Sequence, residues 1–202
     1  MSQHLTIEER IGRIEDREAI KDLVVLYGFV MDERDIDGIY RLFAEDAELR
    51  SQDGVFSADG IEKIVETYQG RFAVLGPTNH VSHGHVVRFD AADPDTATGL
   101  VAASAEVVRN GQTMWVALRY KDTYRRTSAG WRFQSRLMSY MYYIDVNEYA
   151  DGLREEGRNR AYGDRRPGDW PEALTPNPDL SWLAHFLREP AEIRAGVRSA
   201  DG

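Results

Sequence analysis

Three of the chain's five histidines, His80, His83 and His85, fall within the stretch GPTNHVSHGHVVRFD at residues 76–90. Imidazoles at that spacing could ligate a metal, supply one catalytic base with two bystanders, or simply populate a strand. On a regular strand alternate residues share a face, so His80 stands opposite His83 and His85 unless a bulge intervenes. A metal would need a further carboxylate or imidazole converging on the His-x-His pair, and alternation works against that convergence. No metal site is expected, and His83 and His85 read as rim or surface residues. The absence of cysteine removes disulfides, thiolate nucleophiles and cysteine-ligated metals from consideration.

The elements that must position these side chains follow from hydrophobic spacing. From Thr6 to Glu33 the apolar residues Ile11, Ile14, Ile20, Leu23, Val24, Tyr27 and Met31 recur mostly at three and four, which predicts a long amphipathic helix. A short helix follows after an Asp35 cap, carrying Ile36, Ile39, Tyr40 and Phe43; DAELRSQDGVFS reads as a hairpin around Asp53-Gly54. Residues 59–73 return to helical spacing through Ile61, Ile64, Val65 and Tyr68. The period then changes to two over 78–90, 97–109, 113–126 and 131–145, with Asn110-Gly111 and Ala129-Gly130 as turn signals. Helices followed by a long meander make an α+β fold: three N-terminal helices against a curved mixed or antiparallel sheet.

Length and composition limit what such a fold can be for. With 202 residues and 42% hydrophobic content the chain suits one domain with an appendage. We place the domain at 1–147 and a proline-rich C-terminal extension at 148–202, because five of the seven prolines lie beyond residue 146. Trp170, Trp182, Leu183, Phe186 and Leu187 give that extension apolar anchors with which to pack on the domain or on a neighbouring subunit. A formal charge of -9 and a pI near 5.1 argue against a nucleic-acid partner, since phosphate binding needs clustered basic surface. No apolar run approaches the roughly 20 residues that span a bilayer, so no membrane partner is expected. MSQHLTIEER lacks the features of a signal peptide, and a cytoplasmic location is the expectation.

The order REAIKDLVVLYGFVMDERDIDGIYRLFAEDAEL, then TNHVSHGHVV, then RYKDTYRRTSAGWRFQSR resembles the SnoaL-like branch of the nuclear transport factor 2-like superfamily, over residues 10–145. Within it the chain looks most like scytalone dehydratase, bile acid 7α-dehydratase and hexachlorocyclohexane dehydrochlorinase. The resemblance implies a cone-shaped α+β barrel holding a His and an Asp in an apolar cavity. The matching positions are His80 at the base position, Asp32 as its orienting carboxylate, and Tyr27 as a hydroxyl donor. Glu106, from the next strand, is a further candidate, as a perturbed acid or as the partner of Arg119 or Arg136. On an ideal helix Tyr27 and Asp32 lie about 140° apart, so both line one cavity only if it is wide or the helix end unwinds.

These residues together lead us to expect a lyase, a dehydratase acting on a hydrophobic ring-containing alcohol without any cofactor. Trp115, Tyr140 and Tyr142 would suit an aromatic ligand. The same dyad would also serve loss of halide or formaldehyde, or an isomerisation or cyclisation. Because this fold also serves binding proteins, a non-catalytic small-molecule binder or assembly module stands as the alternative. The resemblance further implies a homo-oligomer, dimer or trimer.

Overall fold

Thr6 begins the first helix with a capping box: the Glu9 backbone N–H donates to the Thr6 hydroxyl (3.2 Å) and the Thr6 N–H to the Glu9 carboxylate (2.7 Å). This helix, α1 (Ile7–Glu33), ends where Arg34 takes a left-handed conformation (φ 55°). The computed structural model describes residues 5–188. After α1 come α2 (Ile36–Leu42), capped by Asp35 through the Gly38 N–H (2.9 Å), then β1 (Phe43–Ser51), β2 (Ser57–Asp59) and α3 (Ile61–Phe72). Four long strands complete the domain: β3 (Leu75–Phe89), β4 (Thr96–Arg109), β5 (Gln112–Thr127) and β6 (Gly130–Asp145). Asn110 and Gly111 both have positive φ (49° and 79°), which turns β4 tightly into β5.

The six strands form one sheet in the order β2-β1-β6-β5-β4-β3, antiparallel throughout except for the β1–β6 pair. The expected α+β cone is thus a mixed sheet that does not close. Helix α3 touches both β1 and the far edge strand β3, and α1 touches both β3 and β6. A flat sheet could not meet one helix at both places, so curvature creates the inner space between sheet and helices. Its core contains Ile20, Leu23, Val24, Ile39, Leu49, Ile64, Val101, Val116, Tyr124 and Phe133, all buried.

Two irregularities decide which side chains face inward. On β3 the register shifts between Ser82 and Gly84, so His83 is an inserted residue. His80 pairs with Ala105 and His85 with Val101, both on the inner face of β4; the bulge therefore turns His85 to the same side as His80. On β6 the shift comes at Met141: Tyr140 pairs with Leu118, Tyr142 with Ala117 and Tyr143 with Val116. That bulge puts Tyr140 and Tyr143 inside and Tyr142 outside.

Beyond β6 the chain makes a 3-10 turn (Val146–Glu148), α4 (Tyr149–Gly152), a second 3-10 turn (Glu172–Leu174) and α5 (Ser181–Leu187). Asn159 extends the sheet beside Tyr143, Ala161 joins the core, and the Asp169 carboxylate accepts the Tyr140 backbone N–H (2.7 Å). Trp170 and Trp182 lie over the Arg119 guanidinium (4.4 and 5.2 Å), and Glu172 pairs with Lys121 (2.7 Å). The aromatic anchors foreseen at Trp170 and Trp182 thus bind the outer face of β5. The end of the extension, 189–202 with Pro190, lies outside the described residues.

Candidate active site

The end of α1 and the start of β3 are tied together by contacts between residues more than forty positions apart. The Arg34 guanidinium donates to the carbonyls of Leu75 (2.6 Å) and Gly76 (2.8 Å). β3 lies on the helix at Gly28, where an added Cβ would come into van der Waals contact with His80 Cβ (3.4 Å) and the His80 carbonyl (3.5 Å). This clamp brings Asp32 under β3. Three donors converge on its carboxylate: His80 Nδ1 at 2.6 Å, the His80 backbone N–H at 2.9 Å and the Thr78 hydroxyl at 2.7 Å.

Burial pushes the Asp32 carboxyl up, but the hydrogen bonds from the His80 ring, its backbone and Thr78 outweigh burial and hold it below the ordinary carboxylate range. Asp32 is therefore ionised at neutral pH and can only accept, which assigns the neutral imidazole's proton to Nδ1. Nε2 is left as the basic nitrogen, without a hydrogen-bond partner among the described residues. The apparent conflict between Tyr27 and Asp32 around the helix disappears, because only Tyr27 lines the cavity and Asp32 stands behind His80.

The cavity itself lies between α1, α3 and the inner face of the sheet. It opens to solvent at a mouth. His80, Tyr27, Tyr68, Tyr120, Tyr140 and Tyr143 supply polar tips among Met31, Phe72, Leu75, Val107, Val116, Leu118 and Met138. The Tyr27 and Tyr68 hydroxyls are hydrogen-bonded (2.9 Å). Burial raises the Tyr68 hydroxyl well above the usual phenol value, so it donates a hydrogen bond without ionising.

The SnoaL-like domain family matches residues 12–137 of the chain. The chain belongs to this family. Among relatives, it is 31% identical over 136 residues to the uncharacterized protein Rv2910c of Mycobacterium tuberculosis H37Rv, covering 63% of this chain and 86% of that one. Among solved structures, a candidate aromatic ring hydroxylase from Novosphingobium aromaticivorans superposes with a TM-score of 0.61 at 29% identity, covering 68% and 98%. A candidate scytalone dehydratase from the same species gives 0.60 at 19% identity, covering 66% and 89%. Hexachlorocyclohexane dehydrochlorinase LinA-type3 from Novosphingobium barchaimii gives 0.59 at 19%, covering 67% and 93%. The last two likenesses are of fold, and that fold includes lyases.

In this SnoaL-like domain the sequence-based candidates divide. His80, Asp32, Tyr27 and Tyr140 come together at the cavity or directly behind it. Glu106 does not: it lies on the outer face of β4, opposite Trp115, and accepts from the Asn79 side chain (3.2 Å). Small residues of β4, Ala97, Ala103 and Ala105, take the inner face, so the face shared by Leu100, Ala102, Ser104 and Glu106 points outward. Trp115 and Tyr142 are also outside, where both rings contact Tyr149 (5.8 and 5.5 Å). The partner of Arg136 is Asp122, not Glu106, in a fully buried bidentate pair (2.9 and 2.7 Å) extended by Tyr124 and His85. No group of three metal-ligating side chains occurs among the described residues, and no helix among them is long and apolar enough to cross a membrane. No residue of 146–188 lines the cavity.

Sequence reasoning missed Tyr68, Arg71, Arg109 and Tyr120 as cavity residues. Spacing puts Tyr68 on the apolar face of its helix, but nothing in that spacing distinguishes a core ring from a cavity wall. Arg71 and Arg109 end their elements and look like ordinary surface cations until the fold closes over them.

Proposed function

We propose that this protein is a cofactor-independent lyase that eliminates water from a hydrophobic, ring-containing alcohol, with His80 as general base and Asp32 as the carboxylate that orients it. The observation carrying this reading is the 2.6 Å contact between His80 Nδ1 and Asp32, which leaves Nε2 as the basic atom of a residue that lines an apolar cavity. In the proposed reaction Nε2 takes a proton from carbon beside an activating carbonyl or aromatic group. The electron pair forms the new double bond and the carbon–oxygen bond breaks.

The departing oxygen gains negative charge as that bond lengthens, and a phenol pair nearby favours oxygen as the leaving atom. Of the Tyr27–Tyr68 pair, one hydroxyl donates to the other and the second has its proton free to donate to the departing oxygen; because Tyr68 resists ionisation, the proton completing water comes back from the His80 imidazolium. Asp32 lowers the cost of that imidazolium throughout. Such acid–base help contributes about two to four powers of ten in rate, and the enclosed cavity must supply the rest by positioning.

The test is a panel of hydroxylated ring compounds, each followed by mass spectrometry for loss of water, with parent and His80→Ala in parallel. The reading expects at least one compound to be dehydrated by the parent and not by His80→Ala, with ligand affinity largely retained. Ligands that bind but are never turned over would favour the binding-protein alternative.

A further inference from the structure

The charges lining the cavity do not match those of the rest of the chain. The protein carries a formal net charge of -9, yet the cavity wall contains two guanidiniums, Arg71 and Arg109, and no Asp or Glu. Arg71 Nη2 donates to the Tyr140 hydroxyl (2.9 Å), and the guanidinium lies over the Phe56 ring (5.1 Å). Burial works against its charge, and the hydrogen-bond partner it has is the neutral Tyr140 hydroxyl, not a carboxylate. Arg71 and Arg109 both act on one further hydroxyl, that of Tyr143.

Arg136 provides an internal contrast. It is fully buried where Arg71 is half-buried, and there the protein supplies its own counter-ion in the bidentate Asp122 pair. A guanidinium in a low-dielectric enclosure without an anion is costly, and its planar fork fits a carboxylate in two parallel hydrogen bonds. The domain neutralises one buried arginine internally and leaves the one facing the cavity to hydroxyls.

We propose that the cavity takes a ring compound bearing a carboxylate, held by the Arg71 fork beside Tyr140, with Arg109 adding positive charge near Tyr143. This inference rests on the reading of the cavity as the place where the ring substrate is held, and it narrows that substrate to a hydroxylated ring acid. Binding energy from the carboxylate would fix the ring in the same cavity that His80 and Tyr27 line, away from the reacting bond.

The experiment uses 2-naphthoate and its neutral counterpart 2-naphthamide as probes, titrated calorimetrically into the full-length protein at neutral pH. The parent should bind the carboxylate at least about tenfold more tightly than the amide, the scale of a charge-assisted hydrogen bond. Arg71→Gln should erase that preference, and Arg71→Lys should keep part of it. Equal affinities, absence of binding by either probe up to about 1 mM, or a preference that survives Arg71→Gln would overturn the proposal. If Arg71→Gln does not fold, Tyr140→Phe serves: it keeps the ring, removes the hydroxyl beside the fork, and should cut the preference several-fold, an unchanged preference being fatal. The outcome is separable from that of the lyase reading. Arg71-dependent acid binding without turnover would leave this subsite standing and remove the dehydratase, whereas His80-dependent dehydration without acid preference would do the reverse.

Discussion

Replacing Asp32 by asparagine tests the proposed dyad most directly, because the two side chains are nearly isosteric and differ in charge and in donor pattern. Three donors point at the native carboxylate, from His80 Nδ1, the His80 backbone and Thr78. An amide offers one accepting oxygen and one NH2 group, so at least one of the three must face a donor. If the NH2 faces Nδ1, the imidazole must shift its proton to Nε2 and the base is lost. If it faces the backbone N–H, that group is left without an acceptor, and in either case no charge remains to stabilise the imidazolium. We expect kcat/KM for dehydration to fall by about 10³–10⁴-fold and stability to fall by about 1–3 kcal/mol. Steady-state kinetics and thermal unfolding on the same sample separate the two effects. The pH dependence has a definite sign: the Asp32 carboxyl lies below its ordinary value in the folded protein, so its stabilisation is present above about pH 4 and is lost as pH falls through the folded value. The stability gap between the parent and the Asp32→Asn variant should therefore shrink on acidification. A folded variant with kcat/KM within about threefold of the parent would refute the orienting role of Asp32.

Other perturbations probe separate parts of the structure. Tyr27→Phe removes one member of the Tyr27–Tyr68 hydroxyl pair but keeps the ring packing; kcat should drop by about 10–100-fold, corresponding to one hydrogen bond of about 1–3 kcal/mol, and an unchanged kcat would remove Tyr27 from the mechanism. Asp122→Asn leaves Arg136 buried without its counter-ion and should cost about 3–5 kcal/mol in denaturant unfolding; a loss below about 1 kcal/mol would mean the pair is not closed in solution. Burial lowers the His85 imidazole to about 4 from 6.5, so the unfolded chain binds a proton there more readily than the folded one. Stability should accordingly fall as pH drops from about 6.5 toward 4, and this part of the acid sensitivity should be absent in His85→Gln. Dialysis against a chelator should leave activity intact, and loss of activity with stoichiometric metal release would overturn the mechanism.

Sequence alone carried the local physics of this protein. Helix spacing and the Asp35 cap located α1 and α2, alternation and Asn110-Gly111 located the long strands, and the match of Tyr27, Asp32 and His80 to a family pattern picked out residues that come together at the cavity or directly behind it. These signals are legible because periodicity, capping and turn chemistry involve residues near one another in the chain. Tertiary structure decided everything that depends on which face of an element is enclosed. Strand alternation grouped Glu106 correctly with Leu100, Ala102 and Ser104, but both faces of β4 are largely apolar, and only packing against the helices chose the other one as inner. The bulges at His83 and Met141 reversed the alternation for His85, Tyr142 and Tyr143, since a bulge is a property of two paired strands and not of either one. Arg71 is a surface cation by its position in the last turn of α3, and becomes a cavity residue only because the curved sheet brings β4, β5 and β6 around that helix end. Enclosure is a long-range property, and it is enclosure that turns an ordinary side chain into one that can bind or react.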